Sequence, residues 1–192
     1  MPDKDMLHER GRSLEEDYFR RKDRELIEKM RQAAAADQER QELAKTSGLA
    51  DPELLQELKD LGFTPNTVTL LPLVPVLRVA WAEGGVTSAE RDLIQRLARS
   101  RGIAEGSEAD RQLAEWLVRP PEQGIFARAG RLIRAMLDSR APETSDLSPD
   151  DLVEYCERIA AASGGVFGIG RISGEEKKLL AAIAEDLKSR QS

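Results

Sequence analysis

The stretch Val79-Ala80-Trp81-Ala82-Glu83-Gly84-Gly85-Val86-Thr87-Ser88-Ala89-Glu90-Arg91-Asp92-Leu93-Ile94 holds the end of one helix and the start of the next. An apolar helix end runs into a glycine pair, and glycine accepts the left-handed backbone that ends a helix sharply. Val86 is an aliphatic plug for the turn. Thr87, with Glu90 three residues later, forms a capping box that satisfies the free N–H groups at the next helix start. A second stretch repeats the order: Ile159-Ala160-Ala161-Ala162-Ser163-Gly164-Gly165, then Val166 to Arg171, then Ile172-Ser173-Gly174-Glu175-Glu176. The offset between the copies is 80 before the glycines and 86 after them, so the second copy has a longer loop. Two helical hairpins built to one plan predict an all-α domain with an internal pseudo-repeat. Capping alone accounts for both Glu90 and Glu176.

Outward from these hairpins the pattern stays helical. Asp51 caps a helix with Pro52 at its first position, running through LLQELKDL to Gly62. A second is expected from Thr67 to Ala82, with its prolines in or near the first turns. Thr87 opens a third to Gly102, and Ser107 a fourth that stops at Pro120 and Pro121. A fifth covers Glu122 to Asp138, Ser148-Pro149 begins a sixth through Ala162, and Ser173 starts the last. No stretch alternates with period two among β-branched residues, so strands are not expected. Residues 46–192 are thus predicted to be a compact bundle of about seven short helices.

Residues 1–45 differ in kind. They carry 11 Lys/Arg and 12 Asp/Glu, a charge density nearly twice that of the rest. Ser13 and Glu16 form a capping box. Glu16/Arg20, Asp17/Arg21 and Glu25/Lys29 are acid-first pairs at i, i+4, each adding a few tenths of a kcal/mol to a helix. A narrow apolar stripe passes through Tyr18, Phe19, Leu26, Ile27, Met30 and Ala33. The reading is a charged helical or partly disordered extension. It either lies loosely against the main domain or serves as a partner-binding or self-association helix that docks its stripe, Phe19 and Leu26 included, in a groove.

Composition removes most of enzymology. The 192 residues include 35 acidic and 29 basic side chains, a net charge of -6, and 40% hydrophobic residues of which few are aromatic. The core must therefore be aliphatic. The single cysteine, Cys156, excludes an internal disulfide and any paired-cysteine metal knuckle. The single histidine, His8, excludes catalytic triads and histidine-based zinc sites. The first residues contain no apolar signal region. The longest apolar run, Val68 to Val76, is broken by Pro72 and Pro75 and stopped by Arg78. A cytoplasmic protein with no membrane insertion is expected. The acidic balance argues against nucleic acid as a partner, and Arg128, Arg131 and Arg134 read as the solvated edge of a helix.

The paired motif Ala80-Trp81-Ala82-Glu83-Gly84-Gly85-Val86-Thr87-Ser88-Ala89-Glu90-Arg91, repeated around Gly164-Gly165 and Ile172-Ser173-Gly174-Glu175-Glu176, resembles the tellurite-resistance TerB family. The resemblance covers roughly Asp51 to Leu187. It implies an all-helical domain in two related halves, a link to stress and tellurite resistance, and clustered carboxylates suspected of holding a divalent cation. It implies no catalysis. Carried over by position, the acidic loop residue is Glu83 and its downstream acid Glu90. In the second half the loop position is Ser163, and the acids are Glu175 and Glu176. The sequence departs from the family where Glu83 and the neutral Ser163 stand in place of the usual aspartate. A hard cation such as Ca²⁺ or Mg²⁺ wants several carboxylate oxygens, so both changes weaken such a site.

Other stretches carry less. Gly164 to Arg171 lacks the Gly-Lys-Ser/Thr ending and the preceding strand of a phosphate loop. It reads as a helix–helix loop whose Phe167 and Ile169 offer a contact surface. Cys156 falls on an apolar helix face with Leu152, Val153 and Ile159, as a small buried hydrophobe. Trp81 and Trp116 fall within apolar stripes and are expected in the core. The leading expectation is a non-enzymatic interaction or stress-response module with a protein partner. The alternatives are a divalent-metal-binding module using Glu83, Glu90, Glu175 and Glu176 and, more weakly, a carboxylate-dependent hydrolase.

Overall fold

A computed structural model describes residues 3–139, 147–162 and 174–188. Every regular element among them is helical. The chain forms two compact units, Met1–Gln41 and Glu42–Ser192.

The first unit is helix α1 (Asp3–Ser47) as far as Gln41. Its visible contacts are short-range and exposed: Lys22 with Glu25 at 3.4 Å, Gln32 with Glu28 at 3.2 Å, and Arg40 with Asp37 at 3.6 Å. Such pairs contribute little individually, and the run Ala33 to Ala36 supplies intrinsic helix preference. Tyr18, Phe19, Leu26, Ile27 and Met30 are all exposed.

The second unit begins inside α1, where Leu43 is fully buried. The Ser47 hydroxyl donates to the Leu43 carbonyl at 2.7 Å and accepts from the Leu49 N–H, which closes the helix. Helix α2 (Pro52–Asp60) starts as the sequence predicts, with Asp51 accepting from the Glu53 N–H and proline in the first turn. Beyond it, the single helix expected from Thr67 to Ala82 is two elements, a 3-10 segment Val68–Leu73 and helix α3 (Val74–Ala80). The reason is Pro72, which lacks an N–H and would clash with the carbonyl one turn back in a continuing α-helix. Pro75, in contrast, falls in the first turn of α3, where no N–H is needed.

Helix α3 lies at the centre. Val74, Pro75, Val76, Leu77, Val79 and Ala80 are all buried, and only Arg78 is not. A helix apolar on every side needs neighbours all round, and α3 packs against α6 (Gln123–Asp138), α7 (Pro149–Ala162) and α8 (Gly174–Lys188). Helix α4 (Ser88–Ser100) packs on α3 and α7, and α5 (Glu108–Trp116) against the 3-10 segment. The core is aliphatic, dominated by Leu, Ile and Val. Each such side chain contributes about 1.5–3 kcal/mol on full burial.

Candidate functional site

The corner between α3 and α4 has the geometry its sequence implies. Gly84 takes a φ of 88°, whereas Gly85 stays out of the left-handed region, so one glycine suffices. The Thr87 hydroxyl accepts from the Glu90 N–H at 3.3 Å, and Glu90 Oε2 accepts from the Thr87 N–H at 2.7 Å and from its hydroxyl at 2.8 Å. Glu90 is buried, 2% exposed, and Glu83 lies exposed in the turn. One Glu90 oxygen is engaged in its own helix cap. Among the described residues, no group of three or more His, Cys, Asp or Glu side chains is arranged to hold a metal ion. The side chains of Glu175 and Glu176, and the whole loop with Ser163, Phe167 and Ile169, lie outside the described residues. The pseudo-repeat is therefore visible in one copy only.

The same cap opens two further helices. Asp110 N–H donates to the Ser107 hydroxyl at the start of α5, and Ser148 at the start of α7 exchanges both bonds of a capping box with Asp151. The Asp110 carboxylate also accepts from the Gly106 N–H at 2.8 Å and from Arg99 at 2.6 Å, and these hold its pKa below the ordinary 3.8. The Ser148 hydroxyl and N–H hold Asp151 below 3.8 likewise. Hydroxyl-to-acid spacing thus marks the starts of α4, α5 and α7, whereas Ser13 and Glu16, with the same spacing, lie inside α1 and start no helix.

Two motif residues have a role that the local pattern does not announce. Trp81 Nε1 donates to the Trp116 carbonyl at 2.9 Å, and Arg91 donates to the Leu117 carbonyl at 3.1 Å. Together they satisfy two carbonyls at the C-terminal end of α5, which no intrahelical donor reaches. Both tryptophans are half-buried, not core. With its carbonyl held, Trp116 sets its ring edge-on to Phe63, centroids 6.0 Å apart.

That pair forms the wall of an open groove of about 840 Å³. Leu61, Gly62 and Phe63 border it after α2, Trp116 and Val118 after α5, and Pro121 and Ile125 at the start of α6. Gly62, at φ 81°, turns the chain so that the Phe63 N–H reaches the Leu58 carbonyl at 3.0 Å, placing Phe63 against the groove. Val118 is 64% exposed. Three carboxylates edge this apolar strip: Asp60, Glu115 and Glu122. Asp60 accepts from the Gln56 amide and Glu115 from the Gln112 amide, and Glu122 makes no side-chain cap bond. Among the described residues, no cation pairs with any of the three. Among the described residues of the lining, Arg119 is the one base.

Other features are internally balanced. A second cavity of about 850 Å³ is lined by Arg131, Arg134 and Lys188 against Asp51, Asp138 and Asp150, with Lys188 paired to Asp150. Arg128 and Arg131 on the edge of α6 both reach Glu57 of α2, so this basic row is tied to its own fold. Cys156 is fully buried, and burial pushes its thiol up to about 12, far from a nucleophilic thiolate. Among the described residues, no helix is long and apolar enough to cross a membrane. Comparison with protein-family models, with curated proteins and with solved structures finds no match.

Proposed function

We propose that this chain is a non-enzymatic interaction module that seats a protein segment in the groove between the ends of α2 and α5 and the start of α6. One observation carries this: an apolar strip of the half-buried Trp116 and the exposed Val118, backed by the buried Phe63 and edged by three carboxylates that pair with no cation of the described residues. Binding sites for protein segments combine apolar anchors, aromatic ones especially, with a polar rim. Supporting the non-enzymatic reading, Glu90 is engaged in a helix cap and the only thiol is buried and protonated. The resemblance of the paired loop motif to the TerB family adds an association with stress and tellurite resistance, and the lone free thiol favours a cytoplasmic setting.

The test is site-specific photo-crosslinking in cells that express the full chain. A benzoylphenylalanine at Val118 gives discrete protein adducts that disappear when Trp116→Ala is added, and one at the exposed Glu154 of α7 gives none. Equal adducts from both positions, or none from either, remove the groove as a docking site.

A further inference from the structure

The groove states the chemistry of its occupant: an apolar face to lie on Trp116 and Val118, behind which Phe63 is buried, with positive charge beside it to meet Asp60, Glu115 and Glu122. Four ionised groups on the lining, three acidic and Arg119, leave it at -2. This chain carries a segment of that chemistry. Between Tyr18 and Arg31, α1 has six basic and three acidic side chains, a net of +3. On the same helix Phe19, Leu26 and Met30 form an apolar stripe, 58% to 64% exposed. Opposite charge around matched apolar surfaces sets both orientation and rate of encounter.

We infer that the groove's occupant is the Tyr18–Arg31 face of a second copy, so that the chain associates with itself. This rests on the groove being a docking site. The contact is heterologous, joining two different surfaces, with a helix laid in a groove by anchors spaced one to two turns apart. Leu26 and Met30, at i and i+4, supply adjacent anchors, and Phe19 lies seven residues before Leu26.

Sedimentation equilibrium of the full chain over a wide concentration range tests it. The average mass rises above 21.3 kDa with concentration and falls back as salt screens the attraction. Phe19→Ser with Leu26→Ser in one chain, and Val118→Lys in another, each weaken association at least about tenfold. All three positions are exposed, so melting of either variant stays as in the parent; if Val118→Lys alters it, Glu122→Lys substitutes. Mixing the two variants restores association, because the pair retains one intact stripe and one intact groove. A mass fixed at 21.3 kDa at every concentration overturns the inference. So does a Val118→Lys chain that associates like the parent, which means that α1 pairs with α1. Adducts from position 118 to other proteins beside a fixed mass leave the groove standing as a docking site and remove only the second copy; a fixed mass with no adducts removes both.

Discussion

Helix α1, over its stretch in the first unit, and helix α3 are helical for opposite reasons. The first is long, charged and alanine-rich, and none of its described apolar side chains before Leu43 is buried. The second has seven residues, six of them buried. An isolated helix that short is unstable in water, so α3 exists only because α6, α7 and α8 surround it. Local preference makes one element and tertiary burial the other.

The comparison breaks most visibly on paired truncations of leucine. Leu77→Ala in α3 or Leu132→Ala in α6, both fully buried, lowers stability by about 2–5 kcal/mol. Leu26→Ala in α1, at 58% exposure, changes it by less than about 0.5 kcal/mol. Urea unfolding of the three variants measures this, and a large loss at Leu26 would mean that its stripe is covered. Deletions sharpen the boundary. Removing residues 1–41 leaves the urea midpoint of the second unit in place. Extending the cut to residue 45 takes away the buried Leu43 and lowers it by an amount of the same order as a core Leu→Ala.

This division also decides what the sequence could reveal. Helix starts are local, and Asp51-Pro52, Thr87/Glu90 and Ser107 are starts the structure shows, whereas Ser13/Glu16 falls inside α1, which already runs from Asp3. The spacing that found Thr87/Glu90 would equally have found Ser107/Asp110 and Ser148/Asp151, because the physical demand at each helix start is the same. The split of the expected Thr67–Ala82 helix was legible in Pro72, had its position beyond the first turn been weighed. The groove was not legible. It joins Phe63 to Trp116 across more than fifty residues of sequence, and the bonds that place Trp116 come from Trp81 and Arg91 on other elements. No local pattern encodes such a pairing. For the same reason Trp81 and Trp116 read as core, since a helical stripe shows which face is inward but not how completely its neighbours close over it.

A smaller effect separates the two glutamates of the first hairpin. Glu90→Ala removes the buried oxygen that accepts from both the Thr87 N–H and the Thr87 hydroxyl, at a cost of about 0.5–2 kcal/mol. Glu90→Gln keeps an acceptor oxygen and recovers much of the loss. Glu83→Ala, in the exposed turn, stays within about 0.5 kcal/mol of the parent. Thermal melts in chelator and in excess Ca²⁺ or Mg²⁺ run beside these variants. If Glu90 is a cap, the ranking is the same in both solutions; a cation-dependent rise of several degrees lost in Glu90→Gln would make it a ligand.

The smallest effect is on acid stability, and it belongs wholly to the second unit. Asp110 and Asp151 have folded-state pKa values below 3.8, because N–H, hydroxyl and guanidinium donors favour their charged forms. In the unfolded chain those donors are gone and each returns to about 3.8. Above that value both states carry the same charge, so the donors' contribution is present in full. As the pH falls below 3.8 the unfolded chain takes up protons first, and the contribution drains away through the lower folded values. Replacing both residues by Asn therefore lowers the urea midpoint near neutrality and makes its decline below pH 3.8 shallower than in the parent. The chain shortened by residues 1–41 keeps the parent's steep decline, since Gly106, Arg99 and Ser148 all remain. A double variant with the parent's slope would show that other carboxylates carry the acid sensitivity and that these two caps act through geometry alone.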